Sequence, residues 1–149
     1  MSNVIDATLK EGFLAPTLES VRAELRPRDP EDSKKDIRFI FQVNFNDSFI
    51  EYNDKTYGPN AEGYQIDSNK VTIEILEMGI SMDKDCSKIW KMTSDSHYQF
   101  TMVITGIEEK YFYDSIKVTP SLAYHLDEES NTLTGDPIVT NVQNLIQGN

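Results

Sequence analysis

The residues best equipped for chemistry crowd into one stretch, "SMDKDCSKIW" at 81–90. It holds Asp83 and Asp85 one residue apart, the only cysteine, Cys86, and the only tryptophan, Trp90. Carboxylates at alternate positions are how a calcium loop begins, and Asp83, Asp85 and Ser87 fit its first, third and fifth positions. The loop then demands a glycine at the sixth position and a bidentate glutamate at the twelfth. Lys88 and Ser94 stand there instead, and the lysine brings positive charge to the place of the cation. A nucleophilic thiol at Cys86 would need a neighbouring base, and neither His97 nor His125 lies beside it in sequence. A structural reading accounts for more of the stretch. Asp83 serves as an N-cap, Asp85 lies in the first turn, and Lys88 and Lys91 complement the dipole at the C-terminal end. Cys86, Ile89 and Trp90 then share one apolar face. The expectation is a short helix around 84–91, with no metal and no cofactor.

The other chemistry-bearing residues form no constellation. His97 and His125 flank predicted strands without the close partners that a zinc site requires, so both read as surface or edge histidines. The 25 acidic residues offer many carboxylate pairs. Only Glu74 stands inside an apolar run, as the solvent-facing member of an alternating strand. There is no P-loop, no glycine-rich dinucleotide turn, no Gly-x-Ser-x-Gly and no His-Glu-x-x-His. The expectation is a protein that is not an enzyme. The tyrosines are candidates of another kind. In "YFYDSIKV", read as a strand, Tyr111 and Tyr113 point opposite to Phe112 and hence outward. Outward tyrosines suit protein contacts because they bury area at little entropic cost.

Three zones would position these residues. Residues 1–36 read as an N-terminal arm: Leu18, Val21 and Leu25 fall at i, i+3 and i+7, the stripe of a short helix over 17–25. "RPRDPEDSKKD" then ends that helix as an exposed linker. Residues 37–126 read as β throughout. Ile37, Phe39, Phe41, Val43 and Phe45 alternate on one face, as do Val71, Ile73 and Ile75, and Tyr98, Phe100, Met102 and Ile104. Phe112, Ile116 and Val118 face inward on a further strand. Asn53-Asp54 reads as a hairpin reversal, and "SLAYHL", after Pro120, as a last strand. Residues 127–149 form an acidic C-terminal tail, with Asp127, Glu128, Glu129 and Asp136 and no base. The fold class expected is mainly β, an antiparallel β-sandwich or barrel of about seven strands with the two short helices.

A net charge of -11 repels phosphate backbones and anionic lipid. No nucleic acid and no membrane partner is expected, and no apolar run approaches the roughly 18 residues of a spanning helix. One cysteine, and no charged-then-apolar leader in "MSNVIDATLKEGFLAP", point to the cytoplasm, or to a virion assembled there. The ends carry apolar residues that need a surface, either the sandwich's own edge or a neighbouring subunit. The candidate protein-contact residues are therefore Tyr111, Tyr113, Leu18, Val21, Leu25, Val142, Leu145 and Ile146. The favoured function is a non-enzymatic protein-binding or assembly subunit, such as a virus or phage structural component, with a protein partner or its own copies. The alternative is an acidic inhibitor or antidote that blocks a basic site on a partner enzyme through salt-sensitive binding. A small-ligand or enzymatic barrel ranks third and requires an interior cavity with convergent polar groups.

Overall fold

Alternation decides where the core lies. The computed structural model describes residues 15–26, 33–45, 50–52, 55–57, 64–85, 97–126 and 128–147. Strands β1 (Thr17–Arg26), β2 (Lys34–Asn44), β3 (Ile50–Tyr52), β4 (Lys55–Tyr57) and β5 (Tyr64–Ile75) come first. They are followed by β6 (Ile80–Asp85), β7 (His97–Glu108), β8 (Ile116–Leu126), β9 (Glu129–Thr134), β10 (Ile138–Thr140) and one helix, α1 (Val142–Gln147). One antiparallel sheet has the order β1-β2-β7; the second has the order β10-β8-β5-β6, with β9 also paired to β8. β3 and β4 pair antiparallel as a separate two-stranded sheet, with Tyr52 opposite Lys55, and the expected reversal at Asn53-Asp54 lies outside the described residues. The fold is mainly β, and its two facing sheets do not close into a barrel.

The inward faces are the ones the alternation picks out. Ile37, Phe39, Phe41, Val43 and Phe45 are fully buried, as are Val71 and Ile73, with Ile75 almost so. Register carries the pattern across the first sheet: Phe41 stands opposite Phe100, Phe39 opposite Met102 and Ile37 opposite Ile104. Cross-strand neighbours share a face, so these rows stack into one core layer. Ile116 and Val118 answer from β8. On the outer face of the first sheet, Ser20 donates to Gln42 at 3.0 Å and Gln42 to Gln99 at 3.2 Å, a polar ladder across three strands.

The expected helix over 17–25 is corrected to strand β1, and the reason is a bulge. Leu18 pairs with Val43 and Ser20 with Gln42, so Glu19 is an extra residue on β1. One extra residue makes the three-residue step from Leu18 to Val21 equivalent to a two-residue step. Leu18, Val21, Ala23 and Leu25 then lie opposite Val43, Phe41, Phe39 and Ile37, all on the core face. A bulged strand and a helix thus write the same i, i+3, i+7 stripe, and tertiary pairing selects the strand.

Three further readings shift. Asp83 is no N-cap: Asp83, Lys84 and Asp85 end strand β6, where Asp83 accepts a hydrogen bond from Thr72 Oγ1 at 2.7 Å. Residues 86–91 of the expected helix around 84–91 lie outside the described residues. Tyr111 and Tyr113 are not on a strand, because a short 3-10 turn spans Glu109–Tyr111 and β8 starts only at Ile116. β8 also runs straight through Pro120 instead of starting a new strand after it. Gly135 N–H donates to the Pro120 carbonyl at 2.9 Å, so the polar edge of Pro120 faces the junction of β9 and β10. Four steps from Thr134 to Ile138 oppose three from Ser121 to Val118, an interruption in the outer strand where the missing N–H breaks no ladder bond.

The chain's end folds back on its beginning. α1 packs against β1, with Val142 buried and Leu145 and Ile146 against the core. No described helix is long and apolar enough to cross a membrane.

Candidate functional site

The eight candidate contact residues separate into two groups. Leu18 and Val142 belong to the core, and Val21, Tyr111, Leu145 and Ile146 pack partly buried against it. These apolar ends have found their surface on the domain itself. Leu25 and Tyr113 remain exposed, Tyr113 by 71%. Near Tyr113, Leu76 is also exposed, and its N–H reaches the Ser115 carbonyl at 3.4 Å.

Sheet edges offer a better candidate, because an unpaired row of N–H and C=O groups is a template for another strand. The outer strand formed by β9 and β10 is short, interrupted and marked by Glu129, Asp136 and Pro137. β6 has six residues and carries Asp83, Lys84 and Asp85. β1 displays Glu19, Arg22, Glu24 and Arg26 and is flanked by α1. β7 has none of these protections. It is twelve residues long, and among the described residues it pairs with β2 alone. From Gln99 to Ile107 it contains neither charge nor proline. Its far end is bent, since Ile37 pairs with Ile104 but Lys35 with Ile107. The surplus residue there goes with Gly106 at φ 73°, a left-handed conformation that glycine adopts freely. Gly106 N–H donates to Asp36 Oδ1 at 3.0 Å and holds this bulge. The regular, uncharged stretch of edge is 99–104.

Two other features merit chemistry. On the outer face of the second sheet, Ser130 Oγ lies 2.6 Å from His125 Nε2, while His125 Nδ1 is in ion-pair contact with Asp67 Oδ2. Between β1 and the β9–β10 junction runs a groove of about 290 Å³, lined by Pro16, Thr17, Leu18, Gly135, Asp136 and Ile138. Its size falls at the bottom of the range for ligand pockets, roughly 300–1,000 Å³. Inside the sandwich, the one buried polar side chain among the described residues is Asn69, whose Nδ2 donates to Tyr98 Oη at 3.0 Å and ties β5 to β7. Among the described residues no group of three or more His, Cys, Asp or Glu side chains is placed to hold a metal.

Sequence reasoning placed His125 at an edge but did not bring Asp67 or Ser130 to it. Half of that arrangement has a signal. A reversal between Leu126 and Glu129 pairs His125 with Ser130, five residues on. The other half has none, because Asp67 is the extra residue where Ile66↔Tyr124 gives way to Ser68↔Ala123.

No protein-family model matches the chain, and no curated protein does. Among solved structures, a Northeast Structural Genomics Consortium target, SoR45, is similar over 89% of this chain and 90% of its own, at 10% identity and a TM-score of 0.42.

Proposed function

We propose that the chain is a non-enzymatic protein-binding or assembly subunit, a structural component that works by strand pairing along the outer edge of β7. The observation that supports this is the contrast among edges: β7 is the long one, with no charge or proline from Gln99 to Ile107 and no cover among the described residues. Main-chain hydrogen bonds along 99–104 supply affinity, and the alternating side chains supply selectivity. The ends supply stability to the subunit, since β1 and α1 bury their apolar residues on the domain. The acidic-antagonist reading draws less support. The described strands interleave acids with bases, as in Arg38 with Glu24, Lys70 with Asp83 and Lys35 with Glu109.

Light scattering coupled to size exclusion tests the proposal. The full chain should exceed its monomer mass of 17.0 kDa as concentration rises. A Thr101→Lys, Val103→Lys double variant should stay monomeric, because lysines on an edge repel a second strand. Thr101→Lys should change stability by no more than about 0.5 kcal/mol, and Val103→Lys by more, because Val103 is half-buried and stands opposite Arg38. A wild-type chain that stays at monomer mass at every concentration would sink the assembly reading.

A further inference from the structure

We infer that Ser130 is an activated nucleophile, oriented and deprotonated through His125 and Asp67, that takes acyl or phosphoryl electrophiles. The inference is independent of the β7 edge and concerns the opposite sheet.

Three strands build the arrangement. β8 and β9 pair with His125 opposite Ser130, which puts both side chains on one face. Leu122 and Tyr124 of β8 are buried, so His125, the residue after Tyr124, belongs to the outer face. β5 flanks β8 on the other side, and Asp67, at its bulge, brings a carboxylate beside His125. The contacts then run in series: Asp67 Oδ2 at His125 Nδ1, and His125 Nε2 at Ser130 Oγ, 2.6 Å away. The Asp67 carboxylate stands against Nδ1 as an ion-pair contact without a formed hydrogen bond, and its negative charge favours the tautomer with the ring proton on that nitrogen, an assignment made from the partners. Nε2 therefore turns its lone pair to the serine hydroxyl, which donates to it. A hydroxyl with a base in reach, and a third group fixing the base, is the general signature of an activated nucleophile.

The plainer account is a cross-strand polar ladder that only ties three strands together. The Ser20–Gln42–Gln99 ladder on the first sheet is such a case. Its central amide can neither take nor hold a proton, whereas the centre of the second arrangement is an imidazole backed by a carboxylate. The site is also open to reagents: the His125 side chain is 40% exposed, and Ser130 is exposed. An open sheet face suits stoichiometric modification of the serine more than rapid turnover, because no described residue there excludes water.

With an activated ester, Ser130 Oγ bonds to the acyl carbon, the ester C–O bond breaks, and the alcohol leaves with the proton that His125 Nε2 had taken. Diisopropyl fluorophosphate probes the same step. The Oγ–P bond forms, the P–F bond breaks, fluoride leaves, and the serine proton passes through Nε2 to water.

The test is to treat the full chain with this reagent at neutral pH and locate the adduct by peptide mass spectrometry. Ser20, Ser115 and Ser121 in the same molecule serve as internal references. Ser130 should react about 10²–10⁴-fold faster than they do, the usual contribution of a positioned base. His125→Gln and Asp67→Asn should each bring it down toward the reference rate, with melting curves confirming that the variants fold. Ser130 reacting no faster than the references in the wild-type chain overturns the inference, whatever the variants do. So does fast labelling that survives His125→Gln in a folded variant.

Discussion

Replacing Phe41 by alanine should cost about 3–5 kcal/mol of stability, the usual range for deleting a buried aromatic ring. Phe41 is fully buried at the middle of the central strand of the three-stranded sheet. Val21 stands opposite it on one side and Phe100 on the other. Its ring lies 5.1 Å from that of Phe100, tilted by 37°, and 6.4 Å from that of Phe39. Such aromatic pairs add about 0.5–1.5 kcal/mol to the area they bury. The neighbours belong to strands held by their own ladders, so they cannot collapse into the space left behind. A chain of 149 residues has a total stability of only about 5–15 kcal/mol. The loss corresponds to a melting temperature lower by about 6–20 °C. Urea unfolding should show a lower midpoint with an unchanged slope, since the denatured surface is the same. Phe41→Leu, which keeps much of the volume, should cost clearly less. A loss below about 1 kcal/mol for Phe41→Ala would mean that Phe41 is not at the centre of a packed core.

That expectation could have been written from the alternation in "IRFIFQVNF", and this shows what sequence discloses of such a fold. Periodicity states which face is inside, and Ile37, Phe39, Phe41, Val43 and Phe45 are all buried. It is silent on insertions that preserve a face while changing the count. The extra residue at Glu19 turned a strand into an apparent helix. Pro120 raises a related difficulty. Proline ends a strand in most sequence contexts, and here it sits inside one because its missing donor faces the break between β9 and β10. The candidate site divides in the same way. The lack of charge from Gln99 to Ile107 is visible in sequence. That β7 is the edge of its sheet comes only from strand order, which alternation does not determine.

Strand order also explains why the exposed edge lies where it does. β1 and the β9–β10 junction meet on one side of the sandwich, at Pro16 and Gly135. α1 packs on β1 there as well. On the other side, β7 is tied to β5 through Asn69 and Tyr98, and the outer edges of β7 and β6 pair with no further strand among the described residues. β6 is defended by charge and β7 is not. The first side is thus packed closed, and on the second no described strand or helix covers β7.

Gly135→Ala should therefore damage the closing side and leave the other intact. A Cβ built on Gly135 would fall 1.9 Å from the Pro16 carbonyl oxygen and 3.0 Å from Pro120 Cγ. The nearest atom belongs to backbone, so no rotamer change relieves the clash. Either the start of β1 moves, where Thr17 pairs with Asn44, or the Gly135–Pro120 hydrogen bond breaks. Overpacking of this kind costs about 1–3 kcal/mol, and a lost hydrogen bond about 0.5–1.5 kcal/mol more. The expected total is about 2–4 kcal/mol, against at most about 0.5 kcal/mol for Asp136→Ala at the exposed neighbouring position. Amide exchange separates the two sides: protection at the start of β1 and at Gly135 should fall further than the global loss of stability accounts for, while the β7 amides bonded to β2 should follow the global change alone. Equal stability of Gly135→Ala and Asp136→Ala would mean that Pro16 and Gly135 do not meet in solution. The closure of the β1 side would fall with that contact.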